Sequence, residues 1–197
     1  MRKVTLEELV ELAKDARQDI WDKADGATGR EPKIYLHWTA GHYEQLFDDY
    51  HISITGDGEI FVSTDDLSER LNHTYRRNTG SIGIALCCAY GATSYDLGSE
   101  PPTPKQIETA AQVVAVVAKA LWLTIDRRFV MTHGEAADNL DGYYAHEAYG
   151  PQSTCERWDL QYLGTPDSPS YTTDYDDPTT GGNVLRGKAN WYANQNS

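Results

Sequence analysis

Ser81-Ile82-Gly83-Ile84-Ala85-Leu86-Cys87 is a nearly continuous apolar run of strand length, the pattern expected of a central strand covered on both faces. Lys33-Ile34-Tyr35-Leu36 reads as a second strand ending at His37, and Arg128-Phe129-Val130-Met131 as a third ending just before His133. Ile52 and Ile54 alternate with polar residues, Asp57-Gly58 marks a tight hairpin, and Ile60 and Val62 continue on the return strand. Helical segments flank these strands. Thr103-Pro104 opens one, with Pro104 at the first helical position. Its Ile107, Ala110, Val113, Val114, Val117 and Leu121 are too widely distributed for a surface helix, so it should be the main helix packed on the sheet. Thr5-Leu6-Glu7-Glu8 reads as a capping box ahead of an apolar stripe of Leu6, Leu9, Val10, Ala13 and Ile20. That pattern predicts a helix over 5–22 and a turn from Gly26 to Pro32. The fold class is therefore α/β, a mixed central β-sheet flanked by helices.

With 197 residues, the chain suits one domain with a sizeable core. Its boundaries are expected at 1–163, followed by a loop-rich extension over 164–197. Residues 164–182 are rich in Pro, Ser, Thr, Asp and Gly. Gly187 to Tyr192 is expected to dock back on the domain through Trp191. A formal charge of −13 argues against nucleic acid and anionic membrane surfaces, which select basic patches. Cys87 and Cys88 are adjacent within a strand and point to opposite faces, while Cys155 stands alone. Three cysteines in this arrangement predict reduced thiols rather than a disulfide framework. The N-terminal Met1-Arg2-Lys3-Val4-Thr5 leads straight into the polar helix, which predicts no secretory signal. The most apolar helix is interrupted by Gln112 and Lys119 and is not expected to span a membrane.

Three short segments carry the chemistry: His37-Trp38-Thr39-Ala40-Gly41, Thr132-His133-Gly134-Glu135 and Arg157-Trp158-Asp159-Leu160. Among their side chains are two imidazoles and a carboxylate, the ligand set of a catalytic zinc. Three protein ligands leave a fourth position open for a water, whose pKa the metal lowers to about 7. Hydrolysis is the natural inference. Isolated histidines are usually surface or hydrogen-bonded residues, but His37 and His133 both follow predicted strands, and strand ends are where sites collect.

The same residues carry a resemblance. Besides the His37 segment, the motifs are Asp49-Tyr50-His51-Ile52-Ser53-Ile54, Asn78-Thr79-Gly80-Ser81-Ile82-Gly83-Ile84, Thr132-His133-Gly134 and Arg157-Trp158-Asp159, five in order over roughly residues 30 to 165. In these the chain resembles the zinc-dependent N-acetylmuramoyl-L-alanine amidases, a group that includes short phage endolysins, cell-wall recycling amidases and animal peptidoglycan recognition proteins. The resemblance implies His37, His133 and Asp159 as metal ligands, Tyr50 as a catalytic tyrosine, Arg157 as a cation near the metal and His73 as a substrate contact. Ala85 stands where the recycling enzymes place a glutamate, which points to the phage-like form of the site.

Competing readings attach to several of these residues. Tyr50 lies in strand register with Ile52 and Ile54 and so competes as a core tyrosine, leaving His51 on the other face as an equal candidate. Cys155 competes with Asp159, since zinc accepts thiolate or carboxylate; the family pattern, a ligand two residues after a basic side chain, favours Asp159. His42 is expected to face solvent, His146 to make a surface contact among tyrosines, and Trp158 to build core. The expected partner is bacterial peptidoglycan or its fragments. Alternatives are a non-catalytic peptidoglycan-binding module and a zinc hydrolase of another amide. Without a signal peptide, action on the wall is expected to follow release by phage lysis or specialised secretion, with an immunity protein or delivery machinery as partner if the protein is a toxin.

Overall fold

The computed structural model describes residues 1–142 and 158–195. In chain order it contains β1 (Arg2–Val4), α1 (Leu6–Thr28), β2 (Lys33–Trp38), β3 (Ile52–Ile54), β4 (Ile60–Val62), β5 (Ser81–Leu86), α2 (Pro104–Ala120), β6 (Val130–Thr132), α3 (His133–Ala137) and α4 (Gly181–Gln195). The strands form one six-stranded sheet in the order β1-β4-β3-β5-β2-β6. The β1–β4 and β4–β3 pairs are antiparallel, and the β3–β5, β5–β2 and β2–β6 pairs are parallel. The sheet is mixed and flanked by helices, as the sequence implies.

The central strand β5 is buried along its whole length, but its two faces differ. Ile82, Ile84 and Leu86 join Ile34, Leu36, Trp38, Ile52 and Ile54 in the main core, which α1 and α2 also line. Ser81, Gly83 and Ala85 alternate with them and make a floor of small groups on the opposite face. Space for a polar site is therefore written into the strand itself.

Helix α2 starts with a complete capping box, in which Thr103 accepts from the Gln106 N–H and Gln106 accepts from that of Thr103. The buried Gln106 amide also donates to the carbonyls of Ile54 and Cys87, at 2.9 and 3.0 Å, so the cap is welded to the ends of β3 and β5. The hairpin forms as expected, with Gly58 at φ 81° where a side chain would be strained.

Three expectations need correction. Helix α1 runs six residues beyond Asp22, because Ala24 continues the buried stripe of Leu9, Ala13, Ala16 and Ile20. It ends at Gly29, which is left-handed at φ 64° and donates to the Asp25 carbonyl. The chain before α1 is not a plain lead-in either, since Arg2–Val4 pairs as an edge strand with β4. Finally, the end of the chain is a helix, α4, that packs on α2 through Leu185 and Ala189, whereas Trp191 is 58% exposed. Tyr192 and Lys188 bind Glu108 of α2 at 2.6 and 2.9 Å. Cys87 and Cys88 are buried free thiols. Burial pushes the Cys87 thiol up to about 12 and that of Cys88 well above its ordinary value. No helix among the described residues is long and apolar enough to cross a membrane.

Candidate metal centre

Parallel pairing of β2 with β6 brings the two histidines together. The last pair in register is Leu36 with Thr132, so His37 and His133 follow at the carboxyl ends of neighbouring strands, about 4.8 Å apart. Their Nδ1 atoms lie 3.2 Å from each other. Asp159 arrives from the far end of the chain, with Oδ2 at 3.3 Å from the His37 Nδ1 and 3.5 Å from that of His133. All three side chains are buried.

These separations can be tested against an ion. A tetrahedral zinc with bonds of about 2.0–2.1 Å has ligand atoms about 3.3 Å apart, which matches the observed triangle edge for edge. The protonation state of His37 fits too. Burial first, and then the neighbouring imidazoles, hold the His37 pKa well below its usual value, so the ring is neutral, the form that binds a metal.

A buried relay fixes the orientation of His37. Its Nε2 lies 3.3 Å from Thr74 Oγ1 and 3.3 Å from His73 Nδ1, and those two atoms are 2.9 Å apart. His73 Nε2 faces Ser81 Oγ at 3.3 Å, and the Ser81 hydroxyl donates to the Asn78 carbonyl at 2.8 Å. With the terminal acceptor a carbonyl, the network places the His73 proton on Nε2 and leaves its Nδ1 as an acceptor for the His37 side. Burial likewise depresses the His73 pKa strongly. Gly83 makes the relay possible, because a Cβ there would meet the His73 ring at 2.7 Å. Asn78 holds the loop in place by accepting from the N–H groups of His73 and Thr74, at 2.9 and 2.7 Å.

Tyr50 does not obey the strand alternation expected for it. β3 begins only at Ile52, so Tyr50 lies in the preceding turn and its ring packs on His37, with centroids 5.0 Å apart. His51 is instead built into the sheet: its Nδ1 accepts from the Gly83 N–H at 3.0 Å and its Nε2 donates to the Glu69 carbonyl at 2.6 Å. Both ring nitrogens are engaged, which is the signature of a structural histidine. His42 is exposed, pairs with Glu100 and stacks on Tyr90.

A groove of about 650 Å³ opens over the centre, lined by Tyr50, His73, His133 and Asp159 together with Arg70 and Arg76. His37 is wholly enclosed beneath it. Arg157, Cys155 and His146 lie outside the described residues. Thr74, Ser81 and Gly83 were not among the sequence candidates, although the small residues alternating along β5 were a visible signal. Glu135 was also passed over. It completes a capping box with Thr132, accepting from the Thr132 N–H at 2.8 Å while the Thr132 hydroxyl accepts from the Glu135 N–H at 3.1 Å, and the T-x-x-E spacing announces it.

Fold and site together define an α/β domain in which two histidines at parallel strand ends meet an aspartate from a later segment, a buried cluster able to hold one metal ion at the floor of an open groove. The chain belongs to the N-acetylmuramoyl-L-alanine amidase family (Amidase_2), matched over residues 27–155. Among solved structures it is similar to the Ph2119 endolysin from Thermus scotoductus MAT2119 bacteriophage Ph2119, at 18% identity and a TM-score of 0.43, covering 56% of this chain and 76% of that one. It is also similar to Drosophila PGRP-LB, at 17% identity and a TM-score of 0.41, with coverage of 74% and 85%. A third is PGRP-Hd from Alvinella pompejana, at 16% identity and a TM-score of 0.36, with coverage of 52% and 72%. No curated protein matches.

Proposed function

We propose that the protein is a zinc-dependent N-acetylmuramoyl-L-alanine amidase that hydrolyses the amide between N-acetylmuramic acid and L-alanine in bacterial peptidoglycan. The observation that carries this reading is the triangle of His37 Nδ1, His133 Nδ1 and Asp159 Oδ2, with edges of 3.2 to 3.5 Å, beneath an open groove of about 650 Å³. Family membership supplies the bond class. His37, His133 and Asp159 would hold the zinc, whose Lewis acidity would serve to polarise a carbonyl and activate water.

The chain's own residues do the rest. His133 and Asp159 line the groove and His37 closes the site from below. Thr74 and His73 hold the His37 ring in the tautomer that leaves Nδ1 free, as partners behind a metal ligand do. His73 also lines the groove, although only 6% exposed, and is the proposed substrate contact there. The Tyr50 hydroxyl orients the attacking water or donates to the developing oxyanion. Arg157, whose guanidinium stays charged and cannot act as a base, stabilises that same charge.

Zinc analysis tests this reading. Purified protein is expected to carry about one zinc per chain, to stop degrading cell walls when a chelator strips the metal, and to recover when zinc is restored. Undiminished cleavage by metal-free protein overturns the mechanism.

A further inference from the structure

The C-terminal helix α4 reaches both of the chain segments that carry the second and third members of the cluster. From its first turns, Arg186 binds Glu135 with two parallel hydrogen bonds, Nη1 to Oε1 at 2.7 Å and Nη2 to Oε2 at 2.8 Å. The same guanidinium donates to the Val130 carbonyl of β6 at 3.0 Å and to Asn183 Oδ1 at 2.7 Å. Arg186 and Glu135 are 6% and 2% exposed. Glu135 is in turn the third residue of α3 and closes the capping box with Thr132, the residue that caps the helix just before His133. One planar fork thus spans β6, α3 and α4 around the junction that presents His133.

The start of α4 grips the other segment just as closely. Gly181 donates to the Gln161 carbonyl at 3.0 Å, and a Cβ on it would stand 1.8 Å from the carbonyl oxygen of Leu160, the residue after Asp159. Leu160 is fully buried and left-handed at φ 61°, a conformation that a branched side chain adopts only when its surroundings impose it. A Cβ on Gly182 would fall 2.7 Å from Glu135 Oε1 and 3.1 Å from both terminal nitrogens of Arg186. A side chain at position 181 would push on the Leu160 backbone, and one at position 182 would displace the ends of the Glu135 and Arg186 side chains.

We propose that α4 belongs to the framework of the metal centre: Arg186, with Gly182 packed against the pair, positions His133 through Glu135, and Gly181 positions Asp159 through Leu160. This rests on the reading of the cluster as a zinc site. A buried ion pair often contributes little net stability compared with apolar residues of the same shape, and the role assigned to this one is to fix geometry. Arg186 is a positioning residue, since it touches neither the cluster nor the groove. The extension after residue 163 is accordingly part of the amidase domain, although the family match ends at residue 155.

The test compares full-length wild type with Arg186→Lys and with the double variant Glu135→Gln, Arg186→Met, which removes the pair without leaving a lone buried charge. Three readouts are taken: cooperative thermal unfolding, zinc dissociation constant by competition with a chromogenic chelator, and the visible spectrum of the cobalt-substituted protein. The double variant is expected to unfold cooperatively yet bind zinc about 10–100-fold more weakly, the range seen when a partner orienting a ligand is lost. Its tetrahedral cobalt bands should shift or weaken, and Arg186→Lys, which keeps charge but not the fork, should fall between. Folded variants with wild-type zinc affinity and an unchanged cobalt spectrum overturn the proposal and leave α4 as packing alone. Wild type that takes up neither metal overturns the zinc reading itself, and this proposal with it, a result recognisable before any variant is made.

Discussion

Asp159→Ala is expected to lose both bound zinc and activity, while Cys155→Ser keeps both. Zinc in a hydrolytic site needs three protein ligands, and Asp159 Oδ2 completes the triangle with His37 and His133 at 3.3 and 3.5 Å. With its carboxylate gone, two neutral imidazoles remain, and affinity should fall by more than the about 10–100-fold that follows loss of a mere supporting partner. Thiolate is the softer and often tighter ligand, so chemistry alone favours Cys155. Position decides for the carboxylate, which also leaves the metal more electrophilic. Elemental analysis after desalting reads the outcome directly. Retained zinc in Asp159→Ala together with lost zinc in Cys155→Ser moves the third ligand to the cysteine.

Tyr50→Phe should lower turnover by about 10²-fold or more, the scale of removing one hydrogen bond made to a transition-state oxyanion. Zinc content and thermal stability should stay near wild type, because phenylalanine preserves the ring that packs on His37 at 5.0 Å. The loss should fall on kcat rather than KM, as for an interaction made only in the transition state. His51→Ala is the matched control. Its imidazole links the Gly83 N–H to the Glu69 carbonyl, so its removal should appear first in the melting temperature. Near-normal turnover in Tyr50→Phe reduces that residue to packing, and a larger turnover loss in a folded His51→Ala identifies the wrong neighbour.

Much of this site was legible because its parts are local. The strands that end at His37 and just before His133 show in short apolar runs, Asp57-Gly58 in turn chemistry, and α2 in the Thr103-Pro104 start and its apolar spread. What escaped depends on pairings between distant segments. The alternation Ser81, Gly83, Ala85 looked like part of one apolar run, and the His73 ring lying over Gly83 explains why that position carries no side chain. Tyr50 was placed by extending the period of Ile52 and Ile54 two residues past the point where strand pairing begins. Helix α1 was ended too soon because Gly26 reads as a breaker, at a cost of about 1 kcal/mol, whereas the buried Ala24 carries the helix on to Gly29. The helix α4 was read as part of a loop-rich extension because its apolar stripe is thin, and it is held by Leu185, Ala189, Arg186 and the close-packed Gly181 rather than by the exposed Trp191.

The most direct test of the central claim is mass spectrometry of purified peptidoglycan digested by zinc-loaded and by metal-free protein. The account predicts that zinc-loaded protein alone releases stem peptides with a free L-alanine amino terminus and leaves glycan strands with intact N-acetylmuramic acid. Binding without release of peptide, or cleavage at a glycosidic or peptide-stem bond instead, contradicts it.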